Sequence, residues 1–469
     1  MRKKLTTAGT PRVRGEACAA LLLLLACLAS EGCFSNGIVR VTSEEAFQRA
    51  LQRKARFIII DGDITVRNGL VLTGETGPVE IGGTGTLRAS PGLSTAVLRL
   101  AGAAQVILRD FEIVGNRSAD SPKVGLPPWN ASFAQFSKRN GILVEGSSDV
   151  RIENVTIRNV ADFAVLVSGG RLIHLEGLKI EDSGGQNERG RNNTTGGILI
   201  EEGTSDFQVK RCTLRRLTGN AIWTHSNAGS PRSRRGRITE NRIEDVARDA
   251  IQVGHATGIR VENNTGARIG YPFELVDVET DGTPVALDTA GDVDHTVYLS
   301  NTFHDVNGEC INLDGFHDGE VRGNVCESPG DFTLYPHAHY GILFGNSDPN
   351  VESRNVVIAD NRITGTGYGG LFLIGTGHTV TGNRFLMVNR SRCTGDGKIA
   401  RCNYALEEPD MLRSGLYLAR RANRDSVTRD NLIRGNEFQG FGTKRWCITA
   451  APGVRLADNR IEDNTCADE

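Results

Sequence analysis

The sequence predicts an all-β, single-stranded solenoid of stacked parallel coils, closed at its N-terminal end by a helix. Two observations carry this expectation: a short strand motif that recurs along most of the chain, and an asparagine that recurs at a fixed place in the repeat. The chain has 469 residues, 39% of them hydrophobic and 23% charged, with 56 Gly and 14 Pro. That composition can bury a core, which excludes a disordered or collagen-like chain. The net charge of −2 lacks the positive excess of a nucleic-acid binder, so no nucleic-acid partner is expected. Single hydrophobic cores stop growing well short of this length, whereas a repeat stack grows along one axis.

Residues 1–32 read as an export signal. Arg2, Lys3, Lys4, Arg12 and Arg14 precede the apolar run Cys18–Ala29. That run is shorter than the roughly 20 residues of a membrane span. Two readings stay open here. Leu24-Leu25-Ala26-Cys27 resembles a lipobox that would attach lipid to Cys27, and cleavage after Gly32, with Ser30 third before the cut, is the alternative. Either way the mature chain, residues 33–469, is expected to be exported (periplasmic, extracellular or lipid-anchored), monomeric, and in touch with a membrane only through such an anchor. Oxidising surroundings favour disulfides. Cys393 with Cys402, Cys447 with Cys466, and Cys310 with Cys326 are the expected pairs, leaving Cys212 as a small buried hydrophobe.

The helix is predicted over Val41–Leu51. Ser43 caps it, Glu44 and Glu45 fill its first turn, and Ala46, Phe47, Ala50 and Leu51 share one face. From about residue 140 a strand recurs after a small or polar residue, beginning at Ile142, Val165, Ile198, Ile222, Ile251, Ile311, Ile342, Leu371, Leu416 and Ile448. Self-similarity at such a period means a solenoid, here of about 10–12 coils. Asn followed two residues later by an apolar residue recurs at Asn241, Asn301, Asn324, Asn361, Asn383, Asn436 and Asn459. Asparagine tolerates the left-handed backbone of a tight corner, and its amide can bond the copies above and below.

Strand, turn, strand, Asn corner and strand together resemble the three-sheet, right-handed parallel β-helix of the pectate-lyase-like superfamily, over roughly residues 38 to 466. The helix at Val41–Leu51 and the runs Phe57–Ile64 and Val106–Ile113 look like that superfamily's capping helix and opening coils. The resemblance implies that an active cleft lies on the first sheet, the one holding the recurrent strands.

Alternation turns the aliphatic positions of those strands inward and the residues between them outward. The outward row then contains Trp223, His225, Gln252, His255, Asn312, Asp314, Phe372, Tyr417 and Arg420, and the coil at Val285 adds Asp288. Eight of the nine histidines fall between His225 and His378. His255, Asp288, Asp314, His317 and Asp318 are the candidate catalytic residues. Trp223, His225, Gln252, Asn312, Tyr340, Phe372, Tyr417 and Arg420 are the candidate substrate contacts, with aromatic rings stacking on sugars. Solubility alone also calls for outward polar residues.

The Trp-Ile-Asp-His and Arg-x-Pro-x-x-Arg stretches of calcium-dependent pectate lyases are absent. So are the Asn-Thr-Asp, Asp-Asp, Gly-His-Gly and Arg-Ile-Lys stretches of polygalacturonase-type hydrolases. Asp314-Gly-Phe-His317-Asp318 is a loose echo of the Asp-Pro-His-Asp motif of alginate C5-epimerases, one residue longer and without the Pro. Three functions follow. In the first, His255, His317 or Tyr340 moves the C5 proton of a uronic-acid polysaccharide, as a lyase or epimerase, while Asp314 and Asp318 orient a His or hold calcium. In the second, paired aspartates such as Asp288 and Asp314 hydrolyse a glycosidic bond. The third is a non-catalytic glycan-binding scaffold.

Overall fold

Aliphatic side chains at every second strand position give each coil an inward face, and stacking those faces makes one continuous core. The structure is a computed structural model that describes residues 37–118, 127–128, 130–187, 190, 192, 194–227, 229–276, 283–328, 340–345, 350–420 and 428–469. The expected export signal, and two of the clustered histidines, His337 and His339, lie outside the described residues. From Val39 to Glu469 the chain forms one unit.

Each coil carries three strands, as in Ile142–Glu145, Ser148–Glu153 and Thr156–Arg158. Each strand pairs in parallel with its counterpart one coil away, so Ile142 lies opposite Val165, Val150 opposite Ile173 and Ile157 opposite Ile180. The third sheet has 14 strands among the described residues. The stack extends past the 10–12 turns read from the recurrent motif because opening coils before residue 140, such as those of Leu70–Thr73 and Leu98–Ala101, add to it. The first and second sheets join where the strands Ile251–Thr257 and Val285–Asp294 run unbroken around the corner between them.

The helix forms at Glu44–Gln52 and buries Phe47, Ala50 and Leu51 over the first coils. Ser43 Oγ accepts the Ala46 N–H (3.2 Å), and the buried Glu44 carboxylate accepts the N–H groups of Arg67 and Asn68, both at 2.9 Å. All three expected disulfides are present, and Cys212 is buried and unpaired. Burial pushes its thiol up to about 12.

The corner between the second and third sheets holds an asparagine ladder. Asn324 Oδ1 accepts from the Asn301 backbone N (3.0 Å) and Nδ2 (2.9 Å), while Asn324 Nδ2 donates to the Tyr298 carbonyl and to Asn361 Oδ1, both at 2.9 Å. The same bonding links Asn241, Asn264, Asn301, Asn324, Asn361, Asn383, Asn436 and Asn464. Two expectations change. Asn264 and Asn464 belong to the ladder too; Thr265-Gly266 hides the first in the sequence, while the second fits the pattern, as Asn324 does with Cys326, and was overlooked. Asn459 instead bonds Asn431, at the turn that enters the second-sheet strand Arg460–Glu462. Cys212 ends the ladder: its N–H donates to Asn241 Oδ1 (2.9 Å) from the position an asparagine would fill.

Candidate functional site

On the first sheet the outward ladder runs in register through Leu143, Leu166, Leu199, Trp223, Gln252, Asp288, Asn312, Leu343, Phe372 and Tyr417. The face expected for Trp223, Gln252, Asp288, Asn312, Phe372 and Tyr417 is therefore the face they occupy. The ladder divides by chemistry into an apolar lower part, a polar middle and an aromatic upper part.

In the middle, polar side chains on successive coils bond one another. Asn220 Nδ2 donates to Gln252 Oε1 (2.8 Å), Gln252 Nε2 donates to Asp288 Oδ2 (2.5 Å), and Asn312 Nδ2 donates to Asp288 Oδ1 (2.9 Å). Asn312 Oδ1 has no hydrogen-bond partner among the described residues, so the row ends in an unused acceptor. Asp288 is 4% exposed. Burial raises its pKa well above the carboxylate range, and the nearby Asp249 and then Asp314 raise it further. Asp314 stands two residues after Asn312, partly exposed where the chain leaves this sheet.

Two more carboxyls lie beneath this row. Asp249 accepts the Val285 N–H (3.0 Å), and burial pushes its pKa up to about 6, against the pull of Arg248 3.6 Å away. Arg248 Nε and Nη1 have no hydrogen-bond partner among the described residues. Glu309 is buried, and burial followed by the Asp249 charge pushes it up to about 8. Asn220, Arg248 and Glu309 were not singled out from the sequence. The available signal was a polar residue two places before the inward aliphatic, as in Asn220-Ala-Ile222, Asp249-Ala-Ile251 and Glu309-Cys-Ile311.

His317 and Asp318 are not part of that row. The strand Phe316–His317 follows the corner at Gly315 and pairs with Val293 and Asp294. The His317 ring is buried, with Nδ1 2.8 Å from Asp318 Oδ2 and Nε2 3.0 Å from Asp292 Oδ1. Asp318 also accepts from Asn355 (2.8 Å) and pairs with Arg354 (2.9 Å), and its hydrogen bond with His317 holds its pKa low. Arg232 bridges Asp292 (3.0 Å) and Asp294 (3.1 Å). Ligand atoms of Asp292, Asp294 and His317 lie within 4.8 Å of one another, but guanidinium groups already supply the positive charge there. The expected use of Asp314 and Asp318 to hold calcium does not fit: Asp318 is committed to Arg354, Asn355 and His317, and Asp314 lies across the corner.

The aromatic expectations also change. Trp223 faces outward but is only 8% exposed, because the short helix Phe133–Phe136 lies over it with the Phe133 ring 4.9 Å away. Glu201 fixes that helix by accepting the N–H groups of Phe133 (2.8 Å) and Ala134 (2.9 Å), and burial pushes its pKa up to about 7. The His225 ring packs tilted against Trp223, with centroids 5.1 Å apart, and neighbours His255 at 5.9 Å. Burial, then His255, lowers His225 to about 4, which keeps it neutral. Higher on the ladder Phe372 lies 5.4 Å from Tyr340 and 5.8 Å from Tyr417. Tyr340 and Tyr417 are buried, and their hydroxyls donate to the Met411 carbonyl (2.7 Å) and to Glu408 (2.5 Å). Burial raises the Tyr340 pKa, so neither hydroxyl is poised as the expected proton carrier or sugar contact. Arg420 is exposed. The histidine concentration disperses: His304 lies on the third sheet beside Glu327, and His378 is buried in the stack with Nδ1 accepting the Val356 N–H.

The sequence profile of a family described as right handed beta helix region matches residues 130–271 and 291–468. No curated protein matches the chain. Among solved structures, the chain is similar to a Family 28 exopolygalacturonase of Yersinia enterocolitica, at 12% identity over 75% of each chain, with a TM-score of 0.55. PfbA, a surface adhesin of Streptococcus pneumoniae, is similar at 11% identity over 76% of this chain and 89% of that one, with a TM-score of 0.52. The catalytic domain of a GH87 alpha-1,3-glucanase in complex with tetrasaccharides is similar at 14% identity over 92% of this chain and 70% of that one, with a TM-score of 0.51. These likenesses are of fold.

Proposed function

Because the chain belongs to the right-handed β-helix family, we propose that it is a carbohydrate-active β-helix enzyme that hydrolyses a polysaccharide laid along its first sheet. The observation that carries this reading is the Asp288 carboxyl, held between two amides on an outward ladder in surroundings that favour its protonated form. Carboxyl groups whose environments differ divide naturally into acid and base. Asp288 is the general acid that protonates the glycosidic oxygen. Asp314, on the next coil and at the open corner, is the base that takes a proton from the attacking water. Gln252 and Asn312 are positioning residues for Asp288. A Family 28 exopolygalacturonase and a GH87 alpha-1,3-glucanase share the fold, which supports the substrate class. Export to an oxidising compartment agrees with the three disulfides.

One observation favours a second reading. The neutral His225 and the partly exposed His255 are adjacent on the same sheet, a pair able to move a C5 proton of an acidic sugar as a lyase or epimerase. Incubation with uronate and neutral polysaccharides separates the readings. New reducing ends without ultraviolet absorbance support hydrolysis. Absorbance of unsaturated ends, or altered C5 signals in proton NMR without cleavage, overturns it. Binding without any of these signals returns the chain to the scaffold reading.

A further inference from the structure

The second sheet has an outward ladder of its own, which rises from Phe57 through Glu80, Ile107 and Arg151 to His174 and, higher, Arg237. Its lower end is an open groove of about 550 Å³ that those first residues line together with Arg56 and Gln105. Clefts of a few hundred Å³ are the size that takes small ligands. Phe57 is 42% exposed there, an aromatic ring lying on the sheet face rather than in the core.

The charges around this ring are only partly matched. Many arginines on the coils are paired with acids, as in Arg216 with Asp182, Arg235 with Asp206 and Arg268 with Asp245. In the groove Glu80 is matched by Arg109 at 2.5 Å. Arg56, Arg151 and Arg237 have no carboxylate at ion-pair distance among the described residues, and all three are exposed. Asp149, in the groove, and Glu153, beside it, are the remaining acids, and neither is engaged by these arginines. An exposed ring flanked by uncommitted guanidinium groups suits a ligand that presents both an apolar sugar face and anionic groups. Guanidinium pairs strongly and directionally with carboxylate or sulfate, and aromatic faces pack on apolar surface.

We propose that this groove is a second, non-catalytic binding site for an anionic glycan, running along the stack from Phe57 past Arg151. It lies on a different sheet from the Asp288 row and does not depend on the chemistry assigned there. The polymer would be held on one face while the other acts on it.

The test uses the full chain with Phe57→Trp, which keeps an aromatic face and reports locally by indole fluorescence, with the parent protein as blank. Oligogalacturonate supplies carboxylates, a heparin-type oligosaccharide supplies sulfates, and maltohexaose is the neutral control. The expected result is a saturable fluorescence change with at least one anionic glycan and none with maltohexaose. Adding R56Q and R151Q should move the midpoint about tenfold or more to higher concentration. Added salt should weaken binding in the same direction. Thermal melting of these surface variants at the parent temperature excludes unfolding as the cause. The proposal is overturned if neither anionic glycan changes the signal, if maltohexaose acts as strongly, or if the double arginine variant binds unchanged. Asp288→Asn should leave this binding intact, so a failure of the catalytic assignment and a failure of the groove are read separately.

Discussion

Replacing Asp288 by Asn separates catalysis from architecture. Two amides, Gln252 Nε2 and Asn312 Nδ2, donate to the carboxyl. Asparagine offers only one acceptor, so one donor would face an N–H₂ group. The structure provides the remedy: Asn312 Oδ1 is unpartnered, and a half-turn of that amide presents it to the new donor. The chain Asn220, Gln252, residue 288, Asn312 then stays continuous, and the stability cost is about 1 kcal/mol or less. Activity should behave differently, because loss of a positioned general acid costs about 10²- to 10⁴-fold, equivalent to about 3–5 kcal/mol of transition-state stabilisation.

The assay is reducing-end release from the responsive polymer, measured across pH alongside thermal unfolding. The parent should lose activity as pH rises through the raised folded pKa of Asp288, and the variant should be inactive throughout. The stability sign is opposite to that of a salt-bridged aspartate. A folded pKa above the unfolded one means that the native state binds the extra proton, so the contribution is intact at low pH and is lost as pH rises through the folded value. Asp288→Asn should flatten that slope. An activity loss below about tenfold, or a loss of several kcal/mol of stability together with activity, would refute the assignment and make Asp288 a purely structural member of the row.

Three further outcomes are expected. Glu309→Gln should leave stability unchanged near pH 4 and raise it by a few kcal/mol above pH 8 in denaturant titrations, since burial pushes this carboxyl up to about 8. Asn324→Ala removes four ladder bonds and strands the Asn301 amide and the Tyr298 carbonyl in the core; unfolding should show a loss of about 3–5 kcal/mol. Gly291→Ala would place a Cβ 2.4 Å from the His255 ring on a backbone with φ of +76°, so it should cost about 1–3 kcal/mol in melting experiments and shift the His255 ring resonances in NMR.

The stack was legible because its signal is periodic. Inward aliphatics repeat at every coil, and the ladder asparagines repeat at one corner, so register follows from alignment of the repeats. Asn264 escaped because the rule required an apolar residue two places on, while the ladder needs only the amide; Asn464, with Cys466 two places on as Asn324 has Cys326, fits the rule and was overlooked. The burial of Trp223 was not legible. It depends on Phe133, which arrives from a loop 90 residues earlier in the chain; nothing in the alternation of the strand announces that a helix will cover it. His317 was misplaced by one corner. The run Asn312-Leu-Asp314-Gly-Phe-His317 reads as one strand, but Gly315 adopts φ of +66° and turns the chain, so Asp314 and His317 serve different faces.

Stacking also explains why the polar site takes the form it does. Parallel coils set identical positions about 4.8 Å apart, so a carboxyl on one coil meets whatever the next coil presents. On the exposed corners arginine provides the neighbour, as with Arg235 and Asp206. Beneath the first-sheet row the neighbours of Asp288 are amides and further carboxyls, and Asp249, Asp288 and Glu309 all have raised pKa values from burial and from one another. Such a grouping weakens the folded chain as pH rises, while the cheaper solutions, an arginine or an aliphatic, occur at the same register a few coils away in Arg99 and Leu199. Glu201, which fixes the Phe133–Phe136 helix, shows that a buried carboxyl can be retained for a structural task, so the Asp288→Asn comparison of activity with stability is what separates the two uses in the row from Gln252 to Asn312.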